Sequence, residues 1–172
     1  MRKWMVLGLV VVLLSACTQK VESDKDFQYT YNSFVESILD NNGVQSKDIP
    51  FTHTLDVSED KNGEYRYKIT IDEPRIAMYN IQMMVVDKTA NGQYPFIGLM
   101  NDDMYSMIPN QENKEKNFVK GIVLEGVSKT PKFTLYVQVN WKDYAQVNTK
   151  TVFFTYTYEY QKDQVSGQSN EK

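Results

Sequence analysis

The residue types that most often carry catalytic chemistry are scarce in this chain of 172 residues, which has one cysteine, Cys17, and one histidine, His53. A serine hydrolase needs a histidine that a carboxylate orients and that can reach a nucleophile. The sequence has no Gly-x-Ser-x-Gly motif that would place a serine beside such a base. We therefore predict that His53 is a structural residue held by a hydrogen bond, and we assign no catalytic residue.

Metal binding is not predicted from the sequence either. A zinc site usually takes several histidine or cysteine ligands, whereas calcium needs clustered oxygen ligands. Three acidic groups could supply such oxygens: Asp56 with Glu59 and Asp60, Asp72 with Glu73, and Asn101 with Asp102 and Asp103. The stretch Ser58-x-Asp60-x-Asn62-Gly63, which overlaps the first group, resembles the start of a calcium loop. Ile69 occupies the position where such a loop has its bidentate glutamate, which argues against calcium binding. Solvated turn carboxylates are the better interpretation of all three, and we expect no metal and no cofactor.

Cys17 ends a segment that has the three-part layout of a secretory signal. Arg2 and Lys3 precede an uncharged apolar run over residues 4–14, and small residues follow it. As a helix this run would rise about 16 Å, roughly half of the ~30 Å hydrocarbon core, so it is too short to span a membrane stably. The motif Leu14-Ser15-Ala16-Cys17 resembles the lipobox of bacterial lipoproteins. That resemblance implies removal of residues 1–16 and attachment of diacylglycerol to the Cys17 thiol.

The resemblance to lipoproteins implies a cellular location for the mature chain. Lipid on Cys17 would hold it on the extracytoplasmic face of a bacterial cell membrane. In a Gram-negative owner the outer membrane would be the destination, since Thr18 is not an aspartate of the inner-membrane retention type. Residues 17–25 would then be the lipidated cysteine and a polar tether with a root-mean-square reach of about 15 Å. The alternative is an ordinary signal peptide with a chance cysteine.

Composition narrows the remaining classes of protein. Lysine and arginine number 19 against 22 aspartates and glutamates, and without a basic block we expect no nucleic-acid partner. If Cys17 carries lipid, no second thiol remains for a disulfide, so stability must come from an apolar core. Twelve tyrosines and eight phenylalanines are available for that core. Aromatic and β-branched residues favour strands.

The spacing of apolar residues predicts one helix followed by strands. Residues 26–43 form an amphipathic helix with one apolar stripe, which Asn41-Asn42-Gly43 can end. The stripe consists of Phe27, Tyr31, Phe34, Val35, Ile38 and Leu39. From residue 50 the apolar period becomes two, and Asn62-Gly63 suits the first hairpin turn. Residues 79–86 are almost continuously apolar, which is typical of a strand covered on both faces.

About seven strands over residues 50–160 indicate two packed sheets. We predict a mainly β fold, an immunoglobulin-like β-sandwich preceded by the helix, with a small β-barrel as the alternative. The part after residue 75 is similar to small immunoglobulin-like domains of surface lipoproteins from low-GC Gram-positive bacteria, through Lys120-Gly121-Ile122-Val123 and the alternation over 135–139. It lacks the Cys…Trp…Cys signature of antibody domains. Residues 161–172 should be a disordered tail.

The interval over residues 101–117 is the candidate contact surface. It is polar with a small apolar group in its middle, and such long connections in compact domains are usually functional or mobile. Loops carry function on rigid scaffolds, and methionine side chains adapt to varied partners. The residues that we select as possible partner contacts are Asp102, Asp103, Met104, Tyr105 and Met107.

Together these features predict a non-catalytic binding or accessory module of the bacterial cell envelope, anchored by lipid, with a protein or an envelope polymer as its partner. A tyrosine stripe on the last strand, Tyr156, Tyr158 and Tyr160, could stack on sugars, but we expect it to pack in the core. Two alternative functions remain open. Dispersed carboxylates could make a small envelope hydrolase, or the domain could be a structural subunit of an envelope or secretion assembly.

Overall fold

The computed structural model describes residues 24–41, 43–90, 93–100 and 104–160. Within these ranges the chain forms one helix, α1, over Asp24–Asp40, followed by eight strands. The strands are β1 Thr52–Glu59, β2 Tyr65–Asp72, β3 Met78–Asp87, β4 Phe96–Ile97, β5 Tyr105–Met107, β6 Gly121–Ser128, β7 Lys132–Lys142 and β8 Thr149–Glu159. The lipobox-like motif, the tether up to residue 23 and the tail over 161–172 lie outside the described residues.

The eight strands form two sheets that face each other. The first sheet has the order β1-β2-β6, and the second has the order β4-β3-β7-β8, with β5 pairing the opposite end of β3. All of these strand pairs are antiparallel. The six long strands take the places of A, B and E in one sheet and C, F and G in the other, as in an immunoglobulin domain. The predicted sandwich is confirmed, with eight strands rather than about seven, and the alternative of a closed barrel is wrong.

The inward-facing residues of the long strands fill the core between the sheets. Strand β2 buries Tyr65, Tyr67, Ile69 and Ile71 and exposes Arg66 and Lys68. Strand β7 contributes a second buried series, from Phe133 to Trp141 at every other position. Both alternations agree with the period of two in the sequence. The tyrosines of β8 are partly buried and pack against this core.

A second apolar core lies on the outer face of the second sheet, where α1 covers β3. Tyr31, Phe34 and Ile38 are the buried side chains of the helix, and they contact Met84 and Val86 of β3. Met83 and Val85, which alternate with these two residues along β3, point into the core between the sheets. Strand β3 is therefore covered on both faces, as its continuous apolar sequence predicts.

The contacts of Tyr31 fix where the N-terminal part of α1 packs on the sandwich. Its hydroxyl oxygen accepts a hydrogen bond from the backbone N–H of Tyr94 at 2.6 Å. The rings of Tyr31 and Phe27 both contact Phe96, with centroid distances of 5.7 and 5.5 Å. These contacts place the start of α1 at the end of the sandwich where β3 ends and β7 begins. Among the described residues, no helix has the length and hydropathy needed to cross a membrane.

The segment after α1 covers the free edge of β8. The backbone N–H of Ser46 donates to the carbonyl of Phe153 at 2.8 Å, and the N–H of Phe153 donates to the Ser46 hydroxyl at 2.9 Å. The N–H of Thr155 donates to the Gln45 side chain at 3.2 Å. Part of this edge of the second sheet is therefore closed by the chain itself, as natural sheets often require.

We expect Tyr31→Phe to destabilise the protein, because it removes the acceptor of the Tyr94 N–H while keeping the ring. The free energy of unfolding should fall by about 1–3 kcal/mol, the cost of leaving a donor unsatisfied. Urea unfolding measures this difference. The matched control is Tyr29→Phe on the same helix, whose side chain is 76% exposed, and it should leave stability unchanged. Equal stability of the two variants would contradict this account of helix docking.

Candidate functional site

The candidate contact residues of the 101–117 interval that the structure describes, Met104, Tyr105 and Met107, do not form an open loop. Asp102 and Asp103 lie outside the described residues. Met107 is one of the predicted contacts. It belongs to β5 and is fully buried in the core between the sheets, so it is not available as a surface contact. Tyr105 is partly buried against the same core. Met104 is half-buried and lines a small cleft of about 230 Å³ with Asn80, Gln82 and Asn140.

The chain that follows β5, up to Val119, folds back on that strand. Ser106 donates its N–H to the carbonyl of Asn117 at 2.9 Å and accepts the N–H of Val119 at the same distance. A single turn of 3-10 helix, Lys114–Lys116, is capped by the Asn113 side chain. The predicted polar connection is thus a structured return that brings the chain from β5 to the start of β6.

His53 is the structural histidine that the sequence predicts. Its Nδ1 lies 2.5 Å from the hydroxyl of Tyr156, and its ring stacks on Phe154 at 4.2 Å. Burial lowers the pKa of His53 and raises the pKa of Tyr156 to about 12, so a neutral imidazole and a protonated phenol share this hydrogen bond at neutral pH. Within the described ranges, Tyr156 is the hydrogen-bond partner of the His53 side chain. This contact joins β1 to β8 and closes the core at that edge.

The acidic residues that the structure describes act mainly in turns and surface pairs. Asp60 accepts hydrogen bonds from the N–H groups of Asn62 and Glu64 at 2.8 and 3.1 Å. These two bonds, with a smaller contribution from Arg66, lower the pKa of Asp60. Glu73 accepts a hydrogen bond from the Thr52 hydroxyl at 3.0 Å. Among the described residues, no group of three or more histidine, cysteine, aspartate or glutamate side chains could hold a metal ion.

The best candidate site is the edge of β6, which has a cleft on each of its faces. The outer cleft, of about 410 Å³, lies on the exposed face of the first sheet. Its main lining residues are Asp56, Ser58, Arg66, Lys68, Glu125 and Val127. The inner cleft, of about 440 Å³, lies between β6 and the segment before β4. Its main lining residues are Tyr67, Tyr94, Pro95, Phe96, Leu124 and Gly126.

The β6 edge carries no neighbouring strand. β6 pairs with β2 on one side only, and none of the described backbone hydrogen bonds leaves Gly121–Ser128 on the other side. The opposite edge of this sheet, β1, also has the outer cleft beside it. On its core side, however, β1 is closed by the contact between His53 and Tyr156. Of these two edges, β6 is therefore the one that is accessible from both faces.

The inner cleft depends on Gly126. Gly126 faces Tyr67 across the pair of strands, and a Cβ atom at Gly126 would collide with the Tyr67 ring. The missing side chain lets that ring lie across β6, where it lines both clefts. Burial, followed by the negative charge of Asp87, raises the pKa of Tyr67 well above its ordinary value. The Tyr67 hydroxyl therefore stays protonated and can donate a hydrogen bond.

Asp87 is the buried charged group beside this region. It is 0% exposed, and its Oδ1 accepts hydrogen bonds from the N–H and the hydroxyl of Thr89 at 2.8 and 2.7 Å. Its Oδ2 has no hydrogen-bond partner among the described residues. These two bonds hold the turn that leads from β3 towards the wall of the inner cleft.

The outer cleft has one acidic side chain without a counter-ion. Lys68 lies opposite both Asp56 and Glu125 in the strand register, but it pairs with Asp56, at 3.4 Å. Arg66 pairs with Asp60 at 3.3 Å. None of the ion pairs within the described ranges involves Glu125. The unpaired charge that stands next to the β6 edge is therefore negative.

Sequence reasoning did not find this site. Its one local signal is Gly126 inside a strand pattern, because a glycine there often marks the close approach of another group. No protein-family model matches the chain, and no curated protein or solved structure is significantly similar to it.

We expect His53 to make stability depend on pH. Its pKa is lowered in the folded state from an ordinary value of 6.5, so the unfolded chain binds more protons and the free energy of unfolding falls as the pH drops below about 6.5. This loss ends once the pH is below the folded pKa. Because His53 is the only histidine, a His53→Gln variant should show a flatter stability profile between about pH 7 and pH 5.

Urea unfolding at several pH values measures this difference. Asp60 and Asp143, whose pKa values are lowered in the fold, contribute their own loss of stability at more acidic pH in both proteins. The comparison is therefore confined to the range above pH 5. Parallel profiles for the two proteins over that range would contradict a buried, neutral His53.

Proposed function

We propose that this protein is a non-catalytic binding module, anchored by lipid on Cys17 to the extracytoplasmic face of a bacterial membrane, whose partner is another protein of the cell envelope. The observation that carries the proposal is the unpaired β6 edge between the outer and inner clefts. The likeness of Leu14-Ser15-Ala16-Cys17 to a lipobox supports the anchor. The partner that this edge would recognise is a polypeptide.

An open sheet edge offers a row of backbone N–H and C=O groups, and another polypeptide is the molecule best able to pair with them. Proteins usually protect such edges by covering them or by shortening the strand. This chain covers part of the β8 edge with Gln45 and Ser46, yet the edge of the eight-residue β6 that faces away from β2 has no partner strand. The contrast supports a binding role for β6.

The position of α1 supports a site close to the membrane. Phe27 and Tyr31, near the start of α1, contact Tyr94 and Phe96, which line the inner cleft. A lipid on Cys17 would therefore be tethered near this end of the sandwich. The turn between β7 and β8 lies at the other end, and the eleven residues of β7 separate the two ends by about 36 Å. A membrane-associated partner could reach the β6 edge without a long extension of its own.

Site-specific photo-crosslinking in the native envelope tests this function. A photoreactive amino acid at Val123, which is 46% exposed on β6, should form adducts with one reproducible envelope protein. The matched control position is Val147, which is 72% exposed in the turn between β7 and β8. The intact protein should carry a diacylglycerol-sized mass, and Cys17→Ala should lose that mass together with most of the adducts.

Equal cross-linking from the two positions, or none from position 123, would count against a partner site on β6. A secreted chain without the added mass would remove the lipid anchor from the proposal.

A further inference from the structure

We infer that the β6 edge binds an extended segment of its partner as an added strand, in which cationic side chains alternate with apolar ones. This inference deepens the proposed function and rests on it, since it names the chemistry of the segment that the edge recognises. In such strand addition, main-chain hydrogen bonds supply affinity, and pockets for alternate side chains supply specificity.

The two clefts match the alternation of a strand. Successive side chains of an extended segment point to opposite faces of a sheet, about 3.3 Å apart along the strand, and neighbouring strands lie about 4.8 Å apart. Both clefts lie against the same residues of β6, Glu125, Gly126 and Val127. A segment paired with these residues would therefore direct one side chain into the outer cleft and the next into the inner cleft.

The inner cleft suits an apolar side chain. Its walls include the rings of Tyr67, Tyr94 and Phe96, together with Pro95 and Leu124, and the polar residues Gln93 and Glu125 also line it. An aliphatic or aromatic side chain that enters it would bury apolar surface against these rings, which is favourable because that surface is removed from water.

The outer cleft suits a cation. Glu125 is exposed and has no ion pair among the described residues, whereas Lys68 and Arg66 are held by Asp56 and Asp60. A lysine or arginine on the outward face of the added strand would supply the missing counter-charge. Opposite charges on neighbouring strands stabilise the pairing.

The same charge argues against a second copy of this chain as the occupant. The outward side chains of β6 are Val123, Glu125 and Val127, and none of them is a cation. An antiparallel pair of two β6 edges supplies no cation opposite Glu125, and in the register that places Glu125 opposite Glu125 the like charges destabilise the sheet. The occupant that fits is therefore a segment from a different protein.

The test uses a capped, fluorescent heptapeptide, Lys-Val-Lys-Phe-Lys-Val-Lys, titrated against the folded protein at low salt. The inference predicts saturable binding of this peptide. A peptide of the same composition, with its lysines grouped at one end, should bind at least about tenfold more weakly. Methylation of three backbone nitrogens on alternate residues should also weaken binding by at least about tenfold, because it removes three main-chain hydrogen bonds to β6.

A charge exchange tests the outward position. Glu125→Lys should weaken binding of the lysine peptide by about fivefold, in keeping with an exposed ion pair, and it should favour a peptide with glutamate in place of lysine. Glu115→Lys is the matched control, because it makes the same change of charge in the exposed 3-10 turn. It should leave the affinity of the lysine peptide unchanged.

Three results would overturn the inference. Equal binding of the alternating and grouped peptides would indicate attraction by charge alone, and equal binding of the methylated peptide would exclude strand pairing. If sedimentation shows that the protein is a dimer, and that the photoreactive amino acid at position 123 disrupts this dimer, the occupant of the β6 edge is a second copy of the chain. If position 123 cross-links an envelope protein while the peptides fail these tests, the inference falls and the proposed function stands. If position 123 also fails, both fall.

Discussion

The burial of β3 on both faces is the constraint on which the rest of the structure depends. Met83 and Val85 pack between the sheets, and Met84 and Val86 pack under α1. Fully burying side chains of this size is worth about 1.5–3 kcal/mol each, so the sandwich cannot leave the outer face of the second sheet in water without a large loss of stability. The helix is thus an integral layer of the domain.

The helix can cover only one sheet, and this limit makes the two sheets unequal. The second sheet has α1 on its outer face, and the segment that follows α1 returns to pair with β8 at Ser46. The first sheet receives neither a helix nor an edge segment among the described residues, so its outer face is polar and the edge of β6 that faces away from β2 has no partner strand. The candidate site is therefore a consequence of which sheet the helix covers.

Much of the fold is predictable because its signals are local. The alternation in β2 and β7, the continuous apolar sequence of β3 and the stripe of α1 each reflect burial that a short window of sequence records. Met107 was misjudged because it stands in a polar interval, and its burial depends on pairing with Met78, which lies far away in sequence. The β6 site was missed for the same reason, since it depends on which strands are neighbours.

The contact between Tyr31 and Tyr94 connects the N-terminal part of α1 to the candidate site. Tyr94 and Phe96 contact the first turns of α1 on one side and line the inner cleft on the other. Their positions cannot change on one side without altering the other, because protein interiors are close-packed and transmit strain. A force or reorientation that reaches α1 from its N-terminal end would therefore reshape the wall of the inner cleft. If the proposed lipid on Cys17 holds the domain by its N-terminal end, this contact would link the anchored end of the chain to the proposed binding edge.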